Sequence, residues 1–385
     1  MNDHLKADWE PLSADVQDDQ ESAYDEMREH CPVAYSDAMG WSVFRHDDVV
    51  RILRDHETFS SAVSRHRSVP NGMDPPEHTK YRRIVERYFQ PGQMLDFEPV
   101  CRGIAAELVE EAAGSGEVEL MADFALPFAA RAQCRFLGWP RSACDALIDW
   151  YRRNQEAVRT GDRPVLARLA EEFERLIEAV LDERRGPGMN PGADVTASLM
   201  HEEVDGNRLG GQDITSILRN WTAGEIGTIA AATGILVHFL ATHTDLPEKL
   251  RGDSGKLPAV IDEILRIHGP LVSNRRVAVR RTTIGSRTIE AGDRLSINWI
   301  AANRDPRAFR NPDELDPNRD PEGNLLYGAG IHVCPGAPLA RLELRVAIEE
   351  LLARVTHIQL RPDRSPCRAS YPAAGFAVLP VRLCR

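Results

Sequence analysis

Residues 327–336 read Tyr-Gly-Ala-Gly-Ile-His-Val-Cys-Pro-Gly and run straight into "APLARLEL", the start of a helix. The glycines leave little bulk in front of Cys334, and a helix N-terminus turns unpaired N–H groups and the positive end of its dipole toward it. A thiolate is stabilised in such a place, so Cys334 is a candidate nucleophile or metal ligand. A buried structural cysteine is the bland alternative. Three other groups have chemistry in their spacing. "DEILR" puts Glu263 and Arg266 on one helix face. "DPPEHTKYRR" sets His78 and Arg82 four apart at a helix start, and Arg319 closes "LDPNR".

The elements that must position these residues are mostly helical. Apolar spacing and proline or glycine punctuation predict helices within 15–32, 46–59 and 75–91. Others are expected near 95–113, 141–158, 163–185, 213–243, 257–268 and 337–354. Between 276 and 300 the pattern alternates, is rich in β-branched residues and carries turn signals, which predicts short strands. A strand-and-turn tail closes the chain. The Pro/Gly stretch at 186–194 reads as a loop within one domain, because helical periodicity resumes after it. The expected fold is mainly α with a minor β region, one domain over 1–385, with 1–40 the least defined part.

Composition narrows the partners. The chain has 385 residues, 42% apolar and 28% charged, with a net charge of −12. That balance disfavours nucleic acid. Seven cysteines without a CxxC pair argue against a zinc or disulfide scaffold and fit a reducing cytoplasm. Residues 1–30 carry no apolar signal core. The longest apolar run, 229–241, is too short to span a bilayer, so a buried core helix and no membrane anchor are expected.

Taken together, and in register from about residue 40 onward, these motifs resemble the cytochrome P450 family. The resemblance implies haem b, held between the central helix and the cysteine-loop helix, with Cys334 as the axial iron ligand. Thiolate ligation of haem favours O–O cleavage. The resemblance also implies that His78, Arg82, Arg276 and His332 meet the haem propionates, with Arg275 a rival for the role of Arg276. Glu263, Arg266 and Arg319 match the family's structural triad. Tyr327 replaces the usual phenylalanine and brings a hydroxyl that needs a partner. Asn324 replaces a histidine common near a propionate. Pro335 removes one N–H that could face the sulfur, which predicts a more electron-donating thiolate and a more negative haem potential.

The central helix departs furthest from the family. Where the family carries an acid and then a threonine that relay protons, "NWTAGEIGTIAAATG" has Ile226 and Gly227. Glu225 falls one residue early and Thr228 one late, each about 100° around the helix from the place it would need. They remain the candidate catalytic residues, Glu225 by way of a helix bulge. The plainer reading has Glu225 facing a polar neighbour. The 59–74 segment is short and contains "AVSRHRSVPNGM", which predicts an open pocket with basic groups at its mouth. Ala223, Ile226, Gly227, Val272, Ser273, Asn274, Ala374 and Phe376 are the expected substrate positions.

No flavin or iron–sulfur segment is recognisable, so electrons are expected from a ferredoxin and its NAD(P)H-dependent ferredoxin reductase. Arg319, Arg341 and Arg345 are candidates for docking the ferredoxin. The expected function is a monomeric cytoplasmic monooxygenase of bacterial specialised metabolism, acting on a small molecule or a peptide. Oxidative aromatic cross-linking of a peptide or carrier-bound substrate is the alternative. A peroxide-driven enzyme or a non-catalytic haem binder is the third.

Overall fold

The computed structural model describes residues 6–186 and 190–385, so the 186–194 loop lies in part outside the described residues. Ten α-helices among these residues are nine residues or longer. They are α1 (Gln20–His30), α2 (His46–Arg54), α3 (Glu77–Glu86), α4 (Pro91–Ser115), α5 (Leu126–Leu137), α6 (Arg141–Thr160), α7 (Arg163–Asp182), α8 (Gly211–Thr242), α9 (Leu257–His268) and α10 (Ala337–Arg354). The largest apolar cluster joins α4, α5, α8, α9 and α10, with α10 packed chiefly on α4. Helix α8 crosses this core. It is 32 residues long and apolar enough to span a membrane by length and composition, but 67% of its most apolar window is buried in protein. The 229–241 run is thus part of a longer helix than the run alone suggested, and burial makes it a core helix.

The β region is a five-stranded sheet ordered β1-β2-β5-β4-β3, from β1 (Val33–Ser36), β2 (Gly40–Val43), β3 (Phe59–Ser60), β4 (Ser273–Ala278) and β5 (Arg294–Asn298). Strand β5 pairs in parallel with β2, Leu295 opposite Trp41, and antiparallel with β4, Leu295 opposite Arg276. The predicted strands at 276–300 are β4, β5 and the hairpin Thr282–Ile284/Arg287–Ile289, which turns at Gly285. β1, β2 and α5 went unpredicted. The two strands are four residues each, and β2 takes its second partner, β5, from far along the chain. Helix α5 is buried on most sides, and only the narrow face of Arg131 and Arg135 marks it as amphipathic.

Candidate active site

Helix α10 begins three residues after Cys334, and its first turn carries Pro338, where a missing N–H costs nothing. The N–H groups of Gly336 and Ala337 face the sulfur and favour the thiolate, while burial pushes the thiol pKa up. Pro335 therefore leaves two N–H donors in place. The Cys334 N–H donates to the Tyr327 carbonyl at 2.8 Å, which closes the loop. Cys334 is exposed by area yet enclosed by protein. A side chain with both properties lines an internal cavity. Gly330, at φ +70°, brings the loop so close to α2 that a Cβ would sit 2.3 Å from the Leu53 carbonyl oxygen.

The triad holds the irregular segment that leads into this loop. Arg266 donates through Nε to Glu263 Oε2 at 2.7 Å and through Nη2 to Oε1 at 2.9 Å. Arg319 Nε donates to Glu263 Oε1 at 2.7 Å. The spare guanidinium N–H groups reach the carbonyls of Asn303 and Pro312 from Arg266, and of Arg310 and Asn311 from Arg319. Four backbone acceptors of the irregular 303–319 segment are thus satisfied by the buried Arg266 and the half-buried Arg319. Arg319 is turned inward, not outward to a partner. Arg341 pairs with Asp262 and Arg345 with Glu98 and Glu349. Each of the three candidate docking arginines thus has an acid partner within the chain, and Arg341 keeps about half of its side chain exposed.

Across the cavity stands a cluster of basic groups short of acids. His78 is buried with neither ring nitrogen partnered, and His332 Nε2 is buried and unpartnered too. Their rings lie 4.4 Å apart. Burial, then the neighbouring His78 and Arg276, push His332 down to about 3. Burial lowers His78 as well. Arg276 is buried on β4 while Arg275 is exposed. Burial draws Arg276 down to about 10, and its one side-chain bond goes to the neighbouring Arg275 carbonyl. Arg82 Nε pairs with Glu86 at 2.6 Å. Asp74, whose charge also acts on His78, Arg276 and His332, already accepts from Ser60 Oγ and the Ser61 N–H. Unanswered donors around a cavity are what two carboxylates would satisfy, so His78, Arg82, Arg276 and His332 fit the propionates of a haem whose iron meets Cys334. Asn324 takes no part, because its Oδ1 caps the Leu326 N–H at 2.9 Å. The Tyr327 hydroxyl is buried without a partner, and the Arg341 guanidinium stacks 4.4 Å over its ring.

Helix α8 runs as unbroken α-helix through 223–228, without a bulge. Glu225 faces Glu343 of α10, a residue singled out by no motif. Both Glu343 oxygens and Glu225 Oε1 are buried with no protein donor. Burial pushes Glu225 up to about 8, partly offset by the neighbouring Glu343. Burial and the Glu225 charge raise Glu343 well above the usual range. Burial and mutual repulsion therefore favour the protonated form at both carboxyls. Glu343 could have been noticed as the charged residue on the apolar stripe of "LARLELRVAI". The Thr228 hydroxyl donates back to its own helix, at 2.9 Å from the Gly224 carbonyl and 3.0 Å from that of Glu225.

The pair has a stability consequence. Both folded pKa values lie above the unfolded carboxyl value, so the folded chain holds protons that the unfolded chain releases. Stability is then greatest below the ordinary 4.5 and falls as pH rises toward about 8. Glu225→Gln flattens that fall by about 1.4 kcal/mol per pH unit, the slope of one proton, measured as denaturant midpoints of the holoprotein across that range.

Of the expected substrate positions, Ala223, Gly227 and Asn274 keep accessible surface. Ile226, Val272, Ser273, Ala374 and Phe376 are buried. Val272 and Ala374 belong to a core cluster with Tyr24 and Phe44, and Phe376 stacks on His238. The 62–72 segment is latched to α8. The Val69 N–H donates to Ser216 Oγ at 2.8 Å, Ser216 Oγ donates to the Arg67 carbonyl, and Asn220 Nδ2 donates to the Val69 carbonyl. Beyond this latch lies a cleft of about 870 Å³ between Arg65, His66 and Arg67, helix α7 and the start of α8.

The sequence profile of the cytochrome P450 family matches residues 149–382. The cyclomarin C epoxidase CymV of Salinispora arenicola is 32% identical over 351 residues, spanning 87% of this chain and 88% of that protein. The erythromycin C-12 hydroxylase of Saccharopolyspora erythraea is 35% identical over 357 residues, 88% and 87% of the two chains. A mutant of P450 EryK in complex with erythromycin B superposes with a TM-score of 0.87 at 29% identity, covering 96% of this chain and 98% of that one. The chain belongs to the cytochrome P450 family. It is a monooxygenase with haem b as its cofactor.

Proposed function

We propose that this enzyme inserts one oxygen atom into a large, polar natural product of bacterial secondary metabolism, with electrons supplied by a separate ferredoxin and its NAD(P)H-dependent reductase. The observation that carries the substrate class is the cleft of about 870 Å³. It opens some two helical turns from Ala223 along α8, and Arg65, Arg67, Arg175 and Arg219 on its walls stand among Glu171, Glu174 and Glu178. Such a lining suits a ligand with many polar groups better than a fatty acid or terpene. Two relatives are named as a cyclomarin C epoxidase and an erythromycin C-12 hydroxylase, which supports a substrate from secondary metabolism.

Haem supplies the oxygen-activating chemistry once bound. The chain's residues supply the rest. Cys334 gives the thiolate, the basic cluster answers the propionates, and α8 walls the pocket beside Ala223 and Gly227. Ile226 and Gly227, standing where an acid and an alcohol relay protons in the family, support a second reading, oxidative cross-linking of aromatic groups. A spectral titration of the ferric protein separates substrate classes. Macrolides and macrocyclic peptides are expected to shift the Soret band, and small terpenes and fatty acids are not. Response to the small compounds alone would overturn the size argument. Mass gain of one oxygen, against loss of two hydrogens, then divides the two reactions.

A further inference from the structure

Two glycines, Gly224 and Gly227, open one face of α8, and a phenol from another helix fills half of the opening. A Cβ built on Gly227 would lie 3.0 Å from Tyr151 Oη and 3.3 Å from Tyr151 Cε2. Tyr151, on α6, therefore ends where any side chain at 227 would begin. Around Gly224, one turn earlier, a Cβ would meet nothing within 4 Å. The phenol thus sits beside open space.

The hydroxyl is fixed and its proton is free. Gln155, one turn along α6, donates through Nε2 to Tyr151 Oη at 2.6 Å. That bond uses an oxygen lone pair and leaves the O–H to point elsewhere. Among the described residues no acceptor for it is found. Tyr151 keeps part of its surface accessible, yet it is enclosed enough for burial to push the phenol up to about 12. It therefore remains a neutral donor throughout the working range.

The other polar groups of this helix face are spoken for. Thr228 spends its proton on the Gly224 and Glu225 carbonyls. Glu225 is turned to Glu343. Thr222 and Thr233 lie on the opposite, buried side of α8 and bond back to the Leu218 and Ile229 carbonyls. Tyr151 alone brings an uncommitted O–H to the segment around Gly227.

We propose that the Tyr151 hydroxyl is the hydrogen-bond donor of the oxygen-activating face of the pocket, delivered from α6 in place of an alcohol on α8, and that residue 227 is glycine in order to admit it. The inference rests on the monooxygenase reading above. Tyr151 acts as a positioning residue that holds a polar atom beside α8 through a donated hydrogen bond, and Gln155 sets the direction of that bond.

The test uses the holoenzyme and its Tyr151→Phe variant, which keeps the ring and loses only the O–H. Reduced and exposed to carbon monoxide, the variant is expected to show an upward shift of the C–O stretching band, because a donor has been removed. With any NAD(P)H-fed redox partner it should release more peroxide per NAD(P)H, by about 10-fold or more if the donor serves proton delivery. Gly227→Ala, whose methyl displaces the phenol, should shift the band the same way, and the double variant should add little to either single. A stretching band and peroxide yield unmoved by Tyr151→Phe would make Tyr151 a packing residue and overturn the proposal. A wild-type protein without a thiolate-type carbon monoxide spectrum would instead overturn the family chemistry beneath it.

Discussion

Glu263→Ala is expected to lose about 3–5 kcal/mol of stability, the range for stripping one partner from a buried ion pair. Arg266 is 1% exposed and would be left charged among the Asn303 and Pro312 carbonyls and the Phe309 ring. Arg319 would lose its only carboxylate contact, at 2.7 Å. Because these two arginines tie the 303–319 segment to α9, the damage should spread to the cysteine loop that follows. Urea unfolding followed by far-ultraviolet circular dichroism would give the size of the loss, and the Soret band would report whether haem retention falls with it. Glu263→Gln keeps an acceptor for Arg266 but no charge, and should fall between. A loss below 1 kcal/mol would mean that the triad behaves as an ordinary surface pair.

Arg276→Ala is expected to act in the opposite sense on the two states of the protein. In the apoprotein Arg276 is a buried cation whose burial already disfavours its charge, so removing it should leave stability unchanged or higher. In the holoprotein it answers a propionate through charge-assisted bonds, each worth about 1.5–3 kcal/mol. Haem should then be lost to a competing apoprotein about 10- to 100-fold more readily. Stability and haem retention falling together would assign Arg276 a structural role instead. Arg275→Ala, at an exposed position on the same strand, should change neither.

How much of this could be read from the chain depends on how local each feature is. The cysteine loop was legible because its glycines, its thiol and the helix start lie within ten consecutive residues, and each residue type has a local physical reason. The Glu263–Arg266 pair was legible from its i,i+3 spacing. Arg319 needed the family's pattern, since nothing near it in sequence names its partner. The strands β1 and β2 were not legible, because four residues carry little pattern and β2 is decided by the β5 edge it joins, with β1 added on β2. Glu225 shows the limit most clearly. The sequence placed it one step off the relay position and left open whether the helix bulged to compensate. The straight α8 and the unpartnered Glu343 oxygens across from it answer that, and neither is a property of the 220–234 segment alone. Tyr151 was invisible for the same reason. Gly227 read as a missing alcohol, and only packing shows a hydroxyl from another helix standing there.

The central claim is that Cys334, on its cavity wall, is a haem ligand as thiolate. The measurement that tests it most directly is the absorption spectrum of the reduced carbon monoxide complex of the purified wild-type protein, taken beside Cys334→Ala. The account predicts the strongly red-shifted Soret band of thiolate-ligated haem in the wild type and its loss in the variant. An unshifted band in freshly reduced wild type at neutral pH, or a red-shifted band that survives Cys334→Ala, would contradict it.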